Sequence, residues 1–184
     1  LLQHRLVVFE AASVGTFDDL SAPFLYARVA TRRRHAALRQ GDTAGHVTSE
    51  WLRTSRRFDV TTLAYCLMPD HVHVLTACLS SRGDPRAALG RWKTLTGQTY
   101  RLRTGLGLWR EGRSEWTLAD LDDAMETARY LVRAPVRAGL VPTPLQYRWL
   151  MVSRWRLDDL VAGGEPSKPD WWPERATWEC RSGR

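Results

Sequence analysis

The chain has 184 residues, 43% of them hydrophobic, and a formal charge of +7. That length supports one buried core with little room for a second, and the positive charge favours a polyanionic partner, either nucleic acid or an anionic membrane surface. No stretch is long and apolar enough to span a bilayer, the opening LLQHRLVVFEAAS has too short an apolar core for a signal peptide, and Cys66, Cys78 and Cys180 lack the paired spacing of a disulfide framework or a zinc site.

A cytoplasmic protein is therefore expected, and Leu1 in place of Met suggests that the true amino terminus is missing. Residues 1–22 show no clear period and read as an N-terminal extension. PFLYARVAT, 23–31, reads as a strand that runs into the basic turn RRRH, and HVTSEWLRTSRRF, 46–58, as a helix with Val47, Trp51 and Leu52 on one side. DVTTLAYCLM and HVHVLTACL are β-rich runs separated by Pro69-Asp70, where Pro presets φ and Asp can bond the next backbone group, so a hairpin is predicted. DPRAALGRWKTLTGQTYRL, 84–102, suits a basic helix that begins at Asp84-Pro85. A further helix is predicted with Thr117 as N-cap and Asp120 three residues on, continuing through LADLDDAMETARYLVRA to Pro135. TPLQYRWLMV then offers a strand, and residues 156–184 read as an extended tail rich in tryptophan, with Trp171, Trp172 and Trp178.

Of the 27 basic residues 25 are arginine. Guanidinium forks grip phosphate oxygens bidentately, while a GC-rich coding sequence would also write Arg for Lys; both readings fit. His71 and His73 are more specific. In a strand, residues i and i+2 project from one face, so two imidazoles stand side by side while Val72 and Val74 point the other way. Such a pair can share a metal ion or simply form a solvent-side pair on a half-buried sheet.

The surrounding motifs favour the metal. MPDHVHVL (68–75), WREG (109–112), YLVRAPVRAGLV (130–141) and the following QYRW together resemble the HUH single-strand transposases, specifically the REP-associated tyrosine transposases, whose pattern includes Tyr-Ile-x-x-Asn-Pro-Val-x-x-Gly-Leu and a Tyr-Pro-Trp element. The resemblance covers residues 23–155. It implies an α+β fold, a ferredoxin-like antiparallel sheet with helices packed on one face, often as a homodimer, and a nucleoid-associated protein. It also implies a chemistry. His71 and His73 hold Mg²⁺ or Mn²⁺, Tyr130 attacks a phosphodiester of single-stranded DNA at a palindromic hairpin, and a 5′-phosphotyrosine and a free 3′-hydroxyl result. A Lewis acid offsets charge at phosphorus, and a phenol of pKa near 10 serves as nucleophile and later as leaving group.

Helical geometry supports Tyr130. Leu118, Leu121, Met125, Ala128 and Val132 form an apolar stripe, and at about 100° per residue Tyr130 falls nearly opposite its centre. Tyr26, Tyr65, Tyr100 and Tyr147 are expected to pack or to stack on bases. One departure matters: where the family has an amide four residues after the nucleophile, this chain has Ala134. Glu126 and Thr127, one turn earlier, are the candidates to replace it, although Glu126 suits equally a partner for Arg129 or Arg133. Ala134 itself lies at a helix end, where an amide should be admitted with little effect on stability.

The DNA contacts expected are Arg32, Arg33 and Arg34 in the basic turn, Arg91 and Lys93 beside Trp92 in the basic helix, and Arg133 and Arg137 near Tyr130. Trp92 is open between base stacking and ordinary burial. Two other activities fit the same motifs: a domesticated hairpin-binding protein with weak or no catalysis, and a phosphodiesterase that releases its product by hydrolysis.

Overall fold

The computed structural model describes residues 21–163, with side chains from residue 24 onward. The expected extension at 1–22 and the three tail tryptophans lie almost wholly outside these residues. In chain order the elements are β1 (Ser21–Ala30), α1 (Gly41–Arg57), β2 (Val60–Met68), β3 (His71–Cys78), α2 (Pro85–Thr104), β4 (Ser114–Leu118), α3 (Leu121–Val132), α4 (Ala134–Arg137), β5 (Leu150–Val152) and α5 (Leu157–Ala162), with short 3-10 turns at 32–34, 37–39 and 144–146. Among them no helix is long and apolar enough to cross a membrane.

The five strands form one antiparallel sheet in the order β4-β1-β3-β2-β5. Its first four strands, with α1 and α2 as crossovers, make the βαββαβ unit of a ferredoxin-like α+β fold. Both crossover helices lie on one face. Leu25, Ala27 and Val29 of β1 meet Val72 and Val74 of β3 there, under Val47 and Trp51 of α1 and Leu89 and Trp92 of α2. The two indoles meet edge to face at 5.6 Å, and each N–H is satisfied: Trp51 donates to Thr62 Oγ1 and Trp92 to the Val47 carbonyl. Trp92 is thus a core residue with no surface to offer a base.

The second face is covered as well, which adds a layer to the single helical face expected. Tyr26, Cys66, Met68, Leu75 and Ala77 alternate with the first set, and Ala124, Ala128 and Leu131 of α3 and Leu160 of α5 seal them. The reason lies in the strands: β3 is buried on both sides along its whole length, and a strand apolar on both faces requires a layer on each. The packed chain also extends past residue 155. Residues expected to open the tail instead form α5, whose Leu160 is 1% exposed.

Local boundaries follow equally physical causes. The Pro69-Asp70 hairpin and the Asp84 N-cap of α2, which accepts from the Ala87 amide at 2.9 Å, are as the sequence predicts. Thr117 does not cap α3. It lies in edge strand β4, paired with Leu25, and the cap is Asp120, which accepts from Asp123 N at 2.9 Å while Asp123 Oδ2 accepts from Ala119 N at 3.2 Å. α1 begins at Gly41, five residues before the predicted start, because Thr43 and Ala44 are buried and tertiary packing overrides the poor helix propensity of Gly41 and Gly45.

Candidate active site

The histidine strand is central, between β1 and β2, so neither imidazole is at a solvent-side position: His71 is 6% and His73 2% exposed. Register sets their neighbours on the second face. His73 lies opposite Arg28 of β1 and Cys66 of β2, and His71 opposite Ala30 and Met68. The two rings are nearly perpendicular, at 81°, with their Nε2 atoms 2.9 Å apart.

Each ring is anchored through its other nitrogen. His71 Nδ1 is 2.5 Å from Asp70 Oδ1, whose partner oxygen lies 2.5 Å from Arg34 Nε; His73 Nδ1 is 2.7 Å from the Tyr26 hydroxyl. Burial pushes His71 down to about 4 and His73 well below the ordinary range, with neighbouring positive charge adding to both, so both rings are neutral at pH 7. Burial alone would raise the Asp70 carboxyl, but the hydrogen bond and charge of His71, with Arg34 and Arg28, hold it below the usual value.

The Asp70 contact orients His71. Asp70 is an anion and only accepts, so His71 carries its single hydrogen on Nδ1, and its Nε2 is a lone pair. The two Nε2 atoms turn toward one position, 2.9 Å apart. The Tyr26 hydroxyl anchors His73 through Nδ1.

The pair suits a divalent cation. Adjacent ligands of an octahedral ion bound at about 2.1 Å stand about 3 Å apart, close to the spacing of the two Nε2 atoms. Outer partners that orient metal-binding imidazoles are present on both rings. Among the described residues no group of three or more His, Cys, Asp or Glu side chains converges.

Tyr130 lies on α3, half-buried at the rim of the second-face core, with the Arg137 guanidinium 3.8 Å from its ring centre. It is close enough to influence Tyr26 and Arg28 electrostatically. The buried side of α3 is Ala124, Thr127, Ala128, Leu131 and Val132, rotated from the predicted stripe, and Leu118 belongs to β4; Tyr130 is half-buried instead of fully exposed opposite it. Ala134 opens α4 and is 6% exposed within the same core.

Other expected site residues are held elsewhere. Thr127 faces the core and donates to the Asp123 carbonyl at 2.8 Å. Glu126 pairs with Arg129, whose guanidinium lies against Gly163 after α5, and Arg133 donates to the Val161 carbonyl at 2.6 Å. Lys93 bridges the carbonyls of Arg110 and Gly112, fastening the WREG loop, while Arg91 is exposed on α2. Arg32 and Arg33 are exposed in the turn beside Arg34, and both Arg33 and Arg34 have positive φ, 53° and 57°. The histidine pair, Tyr130, Arg137 and Arg34 are brought to one region; Lys93, Glu126, Thr127 and Arg133 are engaged elsewhere, and Arg91 is exposed on α2.

Two site residues escape the sequence reading. Tyr26 and Arg28 occupy i and i+2 of β1 and face the histidines, the same alternation that singles out His71 and His73. Arg28 is largely buried, and burial first, then Arg34, lowers it to about 10, so it keeps its charge at neutral pH. A cationic side chain inside an apolar strand is the signal that could have found it.

No family model matches the chain, and no curated protein matches it in sequence. In three dimensions it is similar to a REP-associated tyrosine transposase bound to a REP hairpin, with a TM-score of 0.62 and 17% identity, over 84% of this chain and 90% of that one. A protein of Deinococcus radiodurans described as a transposase is similar at a TM-score of 0.45 and 17% identity, over 56% of this chain and 85% of the other. The first likeness establishes the fold; the second is too loose to add to it.

Proposed function

We propose that the chain is an HUH-type, REP-associated tyrosine transposase that cleaves and rejoins single-stranded DNA at palindromic hairpins with Mg²⁺ or Mn²⁺ at His71 and His73. One observation carries the reading: two neutral, anchored imidazoles with Nε2 atoms 2.9 Å apart share a sheet face with Arg28 and lie near Tyr130 and Arg137. Among the described residues, fixed positive charge from Arg28, Arg34 and Arg137 gathers around the histidines and the Asp70 carboxylate. Such a site favours an anion, and the scissile phosphate is the anion proposed. The bound cation supplies Lewis acidity toward the phosphodiester oxygens.

The chain's own residues do the rest. Arg137, stacked on the Tyr130 ring, holds it toward the phosphate. The Tyr130 oxygen forms a bond to phosphorus, the bond to the 3′-oxygen breaks, and the phenolic proton is lost as the 3′-oxygen gains one. A 5′-phosphotyrosine and a free 3′-hydroxyl remain, and the reverse attack by a 3′-hydroxyl rejoins strands without ATP. Arg28, on the floor of the site, offsets charge on the non-bridging oxygens.

A second reading is favoured by one residue. Ala134, where the resembling family has an amide, is buried and apolar and offers the metal nothing, as expected of a domesticated hairpin-binding protein with little turnover. Incubation of a labelled single-stranded hairpin with the protein and Mn²⁺ separates these. A transposase gives a metal-dependent covalent adduct that maps to Tyr130, is lost in Tyr130→Phe, and is lost in His71→Ala/His73→Ala with hairpin affinity mostly kept. Binding without adduct supports the domesticated protein, and cleavage without adduct a hydrolase. An adduct on another tyrosine, or undiminished cleavage by the histidine double variant, overturns the assignment.

A further inference from the structure

We infer that the cleft between α2 and residues 105–113 is a second DNA-binding site, which takes single-stranded DNA running on from the strand held at the histidine site. The inference rests on the DNA-processing reading given above and is independent of the metal.

The cleft encloses about 540 Å³, and none of the residues that line it is acidic. Trp109 forms one wall. Its ring packs on Trp92, with centres 5.0 Å apart, and its N–H donates to Thr96 Oγ1 at 2.8 Å, so the indole is held in place where it borders the cleft. Three cations share that border. Arg101 is exposed on α2 and makes no ion pair among the described residues. Lys93 donates two of its hydrogens to the carbonyls of Arg110 and Gly112, at 2.6 and 2.5 Å, and keeps a third, while Arg113 pairs with Glu115. A fixed aromatic wall beside cations that are not fully neutralised is the combination that suits a single strand: a base stacks on the ring and the phosphates meet the charges. Duplex DNA hides its base faces and would leave Trp109 unused.

Glycines keep the cleft open. A Cβ at Gly97 would stand 3.5 Å from the Trp109 ring, one at Gly107 would stand 3.6 Å from the Arg32 guanidinium, and one at Gly90 would meet nothing within 4 Å. Glycine is unfavourable inside a helix, so Gly90 and Gly97 give up helix stability where a longer side chain would fill the space.

The end of β1 joins this cleft to the histidine site. Trp109 bridges Thr31, and Arg32 N donates to Leu108 O at 2.8 Å. Thr31 donates through both N and Oγ1 to Asp70 O, each at 2.9 Å, and Asp70 anchors His71. Arg32 against Gly107 and Arg34 beside Asp70 therefore line a basic path from one site to the other.

Fluorescence anisotropy of the full chain, in chelator, tests this with a blunt hairpin and with the same hairpin carrying a single-stranded thymidine flank on its 5′ or 3′ side. One flanked hairpin should bind more tightly than the blunt one. Arg101→Glu and Gly97→Leu should each weaken that flanked hairpin about 5- to 100-fold, the worth of one stacked base, and barely alter the blunt one. Arg101→Glu should also lower its salt slope by about 0.7, one single-strand phosphate contact fewer. A 5-iododeoxyuridine in the flank should photocrosslink to Trp109. No advantage from either flank, or an equal loss for the blunt hairpin, overturns the single-strand site; the second result would put the stem in the cleft. Arg101 is exposed, so Arg101→Glu decides should Gly97→Leu fail to fold. A wild-type chain that binds none of these DNAs refutes the DNA reading itself, whereas flank effects without any Tyr130 adduct uphold this site and refute only the chemistry.

Discussion

Ala134 shows how much a single side chain's surroundings decide. Its place before Pro135 suggests a permissive helix end, yet the chain continues directly into α4, and Ala134 is 6% exposed against the second-face core. An amide there must find volume and hydrogen-bond partners in a packed interior. Overpacking costs roughly 1–3 kcal/mol, and an unsatisfied polar group adds to it. Ala134→Asn is therefore expected to lower stability by about 1–3 kcal/mol in urea unfolding, while lowering the Mn²⁺ concentration needed for half-maximal adduct formation if the amide reaches the metal position. Unchanged stability would mean that the side chain swings clear of the core. Tyr26 and Arg28 make the complementary point. Tyr26 is 47 residues from the histidine it anchors, a separation at which local pattern carries no information until the strands are paired. His71 and His73, by contrast, were legible because period-2 alternation and the MPDHVHVL string are both local.

At the scale of elements, legibility followed how much of the folding signal each segment carries in itself. The β2–β3 hairpin has two β-rich runs and a Pro-Asp turn, and α2 has an Asp cap, a Pro at its first turn and Gly105 at its end in the left-handed region, φ 73°. β4 has none of these. Its sequence SEWTL is largely polar and it becomes a strand by pairing with β1, which also displaced the predicted cap of α3. α5 is short and lies in a stretch whose composition reads as tail, and it is fixed by tertiary contact: Leu160 enters the core and Arg133 of the α3–α4 junction donates to Val161 O. If α5 belongs to the folded unit, Leu160→Ala should remove about 2–5 kcal/mol of unfolding free energy. A loss of a few tenths would show that the helix merely rests on α3. Because α3 carries Tyr130, the same variant should slow adduct formation more than it weakens hairpin binding.

For the molecule as a whole, the two faces of the sheet have different jobs. The first is an apolar layer closed by two buried tryptophans; the second buries a charged and hydrogen-bonded site between strands and α3. The asymmetry predicts how global stability responds to acid. Folded His71 titrates at about 4 and His73 well below its ordinary value, both chiefly through burial, whereas in the unfolded chain both titrate near 6.5. Between these limits the unfolded state binds protons that the folded site refuses, so unfolding free energy falls as pH falls. For His71 alone the loss approaches about 3 kcal/mol once pH nears 4, since each tenfold difference in proton affinity between the folded and unfolded chain is worth about 1.4 kcal/mol. Asp70 departs in a way that acts at lower pH: its contribution is intact above its unfolded value near 3.9 and is lost only below that, so it does not contribute to the slope between pH 6.5 and 4.5. In urea unfolding at pH 7.5, 6 and 5 with chelator present, the wild-type chain should lose stability steadily. His71→Ala/His73→Ala should start lower, because it leaves cavities in the second face, but fall less, so that the two curves converge toward acid. Parallel curves would place the acid-sensitive groups elsewhere and would mean that the imidazoles are protonated in the folded chain as readily as in the unfolded one.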